Sequence, residues 1–154
     1  MPEENVIERA REDKREGKSA STQAGEFVRE EMRHIREGKH GAKSPQQAIA
    51  IGLSKARRAG VDLPTPKQGA SAKTKTQARR DSQKGKKSSR RKPSPVRSKA
   101  TSQALRREGR SAASHSSLSR HSRAVARRRG SRSRHQSAAK AVRTRKYQSR
   151  SRSK

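Results

Sequence analysis

Apolar residues recur along the first third of this chain at helical spacing. In "STQAGEFVREEMRHIREGK", residues 21–39, Ala24, Val28, Met32 and Ile35 follow one another at steps of four, four and three, with Phe27 beside them. Those steps gather the five on one side of a helix, and Gly38 ends the run. Glu30 and His34, like Arg33 and Glu37, stand four apart and are expected on the water-facing side. In "SPQQAIAIGLSKARRAG", residues 44–60, Ser44 is a good N-cap, Pro45 suits the first helical position and Gln47 completes a capping box. Ala48, Ile49, Gly52, Leu53, Ala56 and Ala59 fall within an arc of about 140° at ~100° per residue, leaving Ser54, Lys55, Arg57 and Arg58 outside it. Glycine in a helix interior costs about 1 kcal/mol against alanine. Gly52 is therefore expected where another helix comes close, the Phe27 helix being the partner. Gly60 suits a left-handed cap, Val61 can fold back onto Ala56, and Pro64 and Pro66 stop continuation. A third, weaker helix is predicted over residues 2–17, with Pro2 in its first turn, Glu3 and Glu4 at its start and Lys14 and Arg15 at its end. Its apolar face is Val6, Ile7 and Ala10.

After Thr65 the apolar spacing fades. "KARRAG", "ALRREG" and "VARRRG" each place paired arginines before a glycine, as a helix C-terminus would, but their irregular separation excludes a solenoid. They predict short helices that form transiently and are stabilised by a ligand. Ser94-Pro95-Val96-Arg97 reads as a turn presenting basic groups. Leu, Ile, Val and Phe number 15 of 154 residues, well under the ~20% below which a highly charged chain is expected to stay disordered. The expected fold is mainly α: a small helical domain over residues 1–63, built on a helical hairpin at 21–63, and a long, mostly disordered Lys/Arg/Ser/Ala-rich tail over 64–154.

Charge then decides the class of partner. Residues 1–40 hold ten acids and nine bases, whereas residues 41–154 hold 34 bases and only Asp62, Asp81 and Glu108 as acids. Such a tail needs a polyanion, and nucleic acid is the abundant one. The residues expected to meet phosphates are Lys55, Arg57 and Arg58 at the hairpin, and Lys86, Lys87, Arg90, Arg91, Lys92, Arg97, Arg106, Arg107, Arg110, Arg123, Arg127, Arg128, Arg129, Arg132, Arg134, Arg143, Arg145 and Lys146 in the tail. Lys39, His40 and Lys43 add cations at the hairpin loop. Only Phe27 and Tyr147 could stack on bases, so duplex DNA is favoured over single strands, and an RNA-binding or ribosome-associated role is the alternative. The hairpin offers a surface for weak self-association.

Catalysis finds no support. His34, His40, His115, His121 and His135 are scattered without zinc-site spacing, cysteine is absent, and "REGKHGAKS" fails the Walker A pattern. No enzyme, metal or cofactor is expected. No apolar run reaches the ~18 residues of a membrane span, and "MPEENVIERARED" lacks the features of a signal peptide, so a cytoplasmic, membrane-free protein is expected.

The segments "STQAGEFVRE", "GKHGAKSPQQAIAIGLSKARRAG" and "ATSQALRREGRSAASHSSLSRHSRAVARRRG" together resemble a family of small, basic bacterial proteins sometimes called histone-like, with residues 47–60 the most specific part. The resemblance implies a bacterial origin, a short helical domain and association with DNA at the nucleoid.

Overall fold

A computed structural model describes residues 2–66, 70–86 and 94–152, with the backbone alone at 144 and 146–152. Among these residues the secondary structure is entirely helical: α1 (Glu4–Arg15), α2 (Ala20–Arg36), α3 (Pro45–Arg58), α4 (Ala72–Lys86), α5 (Pro95–Arg107), a 3-10 turn (Ser111–Ala113), α6 (His115–Arg128) and α7 (Gly130–Arg152). The chain divides into two compact units, 1–117 and 118–154, the first running well past the 63/64 boundary drawn from sequence.

The hairpin forms as its terminal chemistry requires. Ser44 caps α3 by accepting from the Gln47 N–H at 3.2 Å, and the Gln47 side chain accepts from the Lys43 N–H at 2.8 Å, one residue before the cap. At the other end Gly60 adopts φ +96°, its N–H bonding to the Arg57 carbonyl while the Val61 N–H reaches back to Ala56. Val6, Ala10, Ala24, Phe27, Ala56 and Val61 make one core cluster shared by α1, α2 and α3, with Ile7, Leu53 and Leu63 packed against it. Small residues dominate, so the helices lie close. A Cβ at Gly52 would stand 2.8 Å from the Val28 Cα, the close approach expected of that glycine. Gly52→Ala gains about 1 kcal/mol of helix propensity but forces a backbone shift costing about 1–3 kcal/mol, so the urea midpoint is expected to fall. A variant more stable than the parent would contradict this close packing.

The acidic side of α2 corrects the sequence reading. Glu30 and His34 were expected to face water, yet both are buried, as are Gln23, Glu26 and Glu31. The reason is that neighbours meet that side with polar groups: Arg9 of α1 donates to Glu26 at 2.8 Å, the Glu3 N–H donates to Glu30 at 2.6 Å, and Lys55 of α3 reaches Glu31.

The larger correction concerns the tail. The expected disorder of residues 64–154 is overturned by four further helices and a turn; residues 67–69, 87–93 and 153–154 lie outside the described residues. Two segments expected only as transient helices, around "ALRREG" and "VARRRG", are α5 and α6. Ser94-Pro95-Val96-Arg97 opens α5, with Ser94 at the N-cap and Pro95 at the first helical position, so it is a helix start and no free turn. For α4 and residues 105–113, order comes from docking that needs few large side chains. Asp81 of α4 is buried and accepts from Ser54 at 2.7 Å, Arg58 at 2.7 Å and Gln77 at 3.1 Å. At Gly85 a Cβ would overlap the Arg57 carbonyl, so only glycine lets α4 lie against the end of α3.

Residues 105–113 dock by backbone. The Gly41 N–H bonds to the Leu105 carbonyl at 2.8 Å and the Ala42 N–H to the Gly109 carbonyl at 3.1 Å, while Arg36 donates to the Ala113 carbonyl at 3.0 Å. Ala112 and Ala113 are buried, and a Cβ at Gly41 would overlap the Glu108 carbonyl.

Candidate functional site

The structure separates the expected phosphate-binding residues into two groups. In the first, the hairpin cations have partners inside the fold. Lys55 Nζ lies 2.7 Å from Glu31 Oε2 and 3.3 Å from Glu30 Oε2. Arg57 is buried and donates through Nη2 to the Pro64 carbonyl at 3.3 Å. Arg58 is tied to Asp81 through Nε. Burial pushes the Asp81 carboxyl up, but hydrogen bonds from Ser54, Arg58 and Gln77 and the Arg58 charge outweigh it and hold the group below its ordinary range. Lys55 and Arg58 fasten helices, and Arg57 ties the end of α3 to the segment that follows it.

In the second group, Lys86, Arg97, Arg106, Arg107, Arg110, Arg123, Arg127, Arg128, Arg129, Arg132, Arg134, Arg143 and Arg145 are all exposed. Lys87, Arg90, Arg91 and Lys92 lie outside the described residues, as does the Lys146 side chain. Phe27, one of the two aromatic side chains considered for base stacking, is 0% exposed and part of the core. The Tyr147 side chain lies outside the described residues.

Residues 118–154 contain 14 Lys and Arg and no Asp or Glu. Helix α7, of 23 residues, extends about 35 Å at ~1.5 Å per residue. Its arginines repeat at a spacing of eleven: Arg132 and Arg143 fall on one side at ~100° per residue, and Arg134 and Arg145 on nearly the opposite side. Its described side chains include no buried one, and Val142 is 62% exposed. No helix among the described residues is long and apolar enough to cross a membrane.

Sequence spacing missed a second constellation, made by α2, the loop after it and the residue before α1. Glu31, 0% exposed, stands one helical turn before His34, and the chain returns after the Gly38 stop to place His40 beside both. Ligand-capable atoms of Glu31, His34 and His40 lie within 4.8 Å of one another, and so do those of Glu3, Glu30 and His34. The two imidazole rings meet edge to face, centroids 6.2 Å apart. His34 Nε2 is 3.0 Å from Glu3 Oε1, and Glu3 also pairs with Arg33 and Lys39. Hydrogen bonds to His34 and Arg33 bring the Glu3 carboxyl down to about 2, so it is ionised at neutral pH. The Glu31-x-x-His34 step was the available signal, masked because His34 was expected on the water-facing side.

Against known proteins the chain matches a family model described as a family of unknown function, DUF6496, over residues 14–68. The matched span holds α2, α3 and every member of the acid–histidine–lysine cluster except Glu3, and ends before α4. No curated protein and no solved structure matches the chain.

Proposed function

We propose that the protein is a non-enzymatic binder of duplex nucleic acid, DNA in the first place, that holds phosphates without reading bases and acts at the bacterial nucleoid. The observation that carries this reading is residues 118–154: fourteen cationic side chains, no carboxylate, and arginines on opposite sides of α7. Like charges so placed repel one another along the helix, and a polyanion relieves that repulsion. Arginines on opposite sides also suit a helix with phosphate on both flanks, as in the major groove of B-DNA, about 12 Å wide. The major groove of A-form RNA is deep and narrow and offers a helix no comparable seat, which favours DNA over the RNA alternative. Lys55, Arg57 and Arg58 are omitted from this interface because folding already engages them.

Binding by counterion release has a measurable signature. If about ten cations touch phosphate together, log K falls against log salt with a slope near −9, at roughly −0.9 per phosphate neutralised. Replacing Arg132 and Arg143 by alanine removes two contacts, and the slope becomes shallower by about two units. The loss is equal on unrelated sequences, since phosphate contacts position without specifying. Titrations on two unrelated DNA duplexes and one RNA duplex across a salt series test the proposal. A parent slope near −2, or losses confined to one sequence, would rule it out. Tighter binding to RNA would transfer the function to the RNA alternative.

A further inference from the structure

We propose that Glu31, His34 and His40 form a site for a divalent transition-metal ion of the zinc class, with one coordination position open toward the cleft beside His40. Fixed partners orient both imidazoles. His40 Nδ1 lies 3.1 Å from the Gly41 carbonyl oxygen, which can only accept, so Nδ1 carries a proton. In the neutral ring Nε2 is then a bare lone pair, and it stands 3.3 Å from Glu31 Oε1. His34 is held from its other nitrogen: Nε2 donates to the ionised Glu3 carboxylate at 3.0 Å, so that in the neutral ring Nδ1 is the lone pair. A histidine that ligates a metal characteristically donates its other N–H to a carboxylate or a backbone carbonyl, and these two show one of each.

Glu31 supplies the third donor. Its carboxylate is fully buried, and neither oxygen accepts a hydrogen bond among the described residues. Lys55 Nζ sits 2.7 Å from Oε2, an ion-pair contact without hydrogen-bond geometry, which turns Oε1 toward His40. One ligand-capable nitrogen from each of the two imidazoles and a carboxylate oxygen of Glu31 therefore lie within 4.8 Å of one another. Acceptors left facing one another in a buried place repel, and a cation bound by nitrogen and oxygen removes that cost. Two histidines and a carboxylate are a familiar donor set for zinc with a fourth position left to water. His40 also borders an open cleft lined by Lys39, Gly41, Arg106 and Arg110, which gives an ion a path inward.

The ion would consolidate the loop that carries His40. The neighbouring Gly41 and Ala42 N–H groups bond to the Leu105 and Gly109 carbonyls, so fixing His40 also fixes the docking of residues 105–113. This reading is independent of nucleic-acid binding.

The test uses the untagged full-length chain and zinc or cobalt(II) chloride as the probe. Zinc is expected to bind saturably at one site by calorimetry and to raise the thermal midpoint. Hydrogen exchange at the Gly41 and Ala42 amides is expected to slow when zinc is added. Cobalt is expected to give the visible absorption of a low-coordinate N/O site. His40→Asn keeps a polar group in the loop and should weaken zinc by more than about tenfold, the least that loss of even an outer-shell partner produces. His135→Asn, on α7, should leave the affinity unchanged. Absence of saturable binding by the parent chain, or equal affinity in the parent and His40→Asn proteins, would overturn the proposal. The exchange measurement on the parent decides the matter even if a variant fails to fold.

Discussion

Replacing Phe27 by alanine is expected to abolish most of the stability of the α1–α2–α3 core. Phe27 heads the fully buried side chains by volume, and its neighbours in the cluster are Val6, Ala10, Ala24, Ala56 and Val61. Loss of a buried Phe costs about 3–5 kcal/mol, more where the surroundings cannot collapse into the space. Here they cannot, because the surrounding side chains are short and the helices are already in close contact at Gly52. A domain of this size has about 5–15 kcal/mol in total, so the variant should be close to half unfolded under mild denaturant. Urea titration followed by far-ultraviolet circular dichroism measures it. A loss below about 1 kcal/mol would mean that Phe27 is not the anchor of the core, because even a partly relaxed cavity costs more. Leu53→Ala, at a half-buried position on α3, should be the milder change.

Local signals in the sequence carried the hairpin correctly: Ser44, Pro45 and Gly60 specify helix ends through their own backbone chemistry, and Gly52 marks a close approach. Periodicity located Ala24, Phe27, Met32 and Ile35 in the core. It failed on the opposite side of α2, since an acid spaced for water looks the same as an acid spaced for a cation, such as Arg9 or Lys55, on a helix that comes to cover it. The tail was misread for a related reason. Large apolar residues are scarce there, and disorder was inferred from that scarcity. Docking instead uses Ala78, Ala112 and Ala113, glycines that admit backbone, and main-chain hydrogen bonds to Gly41 and Ala42. None of these adds to the count of large apolar side chains. The candidate metal site needed the turn at Gly38 to bring His40 back to α2, a distance no local pattern encodes. The partners of the hairpin cations were not legible because a cation is recognised by type, whereas its availability depends on residues distant in sequence, such as Glu31 for Lys55 and Asp81 for Arg58.

Asp81 is the sharpest instance, and its substitution by alanine is expected to release α4 while leaving α1–α3 folded. Helix α4 carries six Lys and Arg and this single acid, and it packs on α3, whose Arg58 side chain and Arg57 carbonyl meet it. Without the carboxylate those like charges repel, and the Ser54 and Arg58 donors lose their shared acceptor. Hydrogen bonds to a charged group contribute about 1.5–3 kcal/mol each, but Arg58 is half exposed and regains water, so a net loss of about 3 kcal/mol is expected. The sign with pH follows from the depressed carboxyl: the contribution is fully present above the ordinary Asp range and is lost as pH falls through the lower folded value. Acid should therefore undock α4 in the parent protein, while the alanine variant, already undocked, shows no such step in that helix. Added salt should partly restore docking in the variant by screening the repulsion. Hydrogen exchange over residues 72–86 reads all three effects. If amide protection in α4 survives Asp81→Ala at neutral pH and low salt, packing at Ala78 and Gly85 suffices to hold the helix and the carboxylate has no part in docking it.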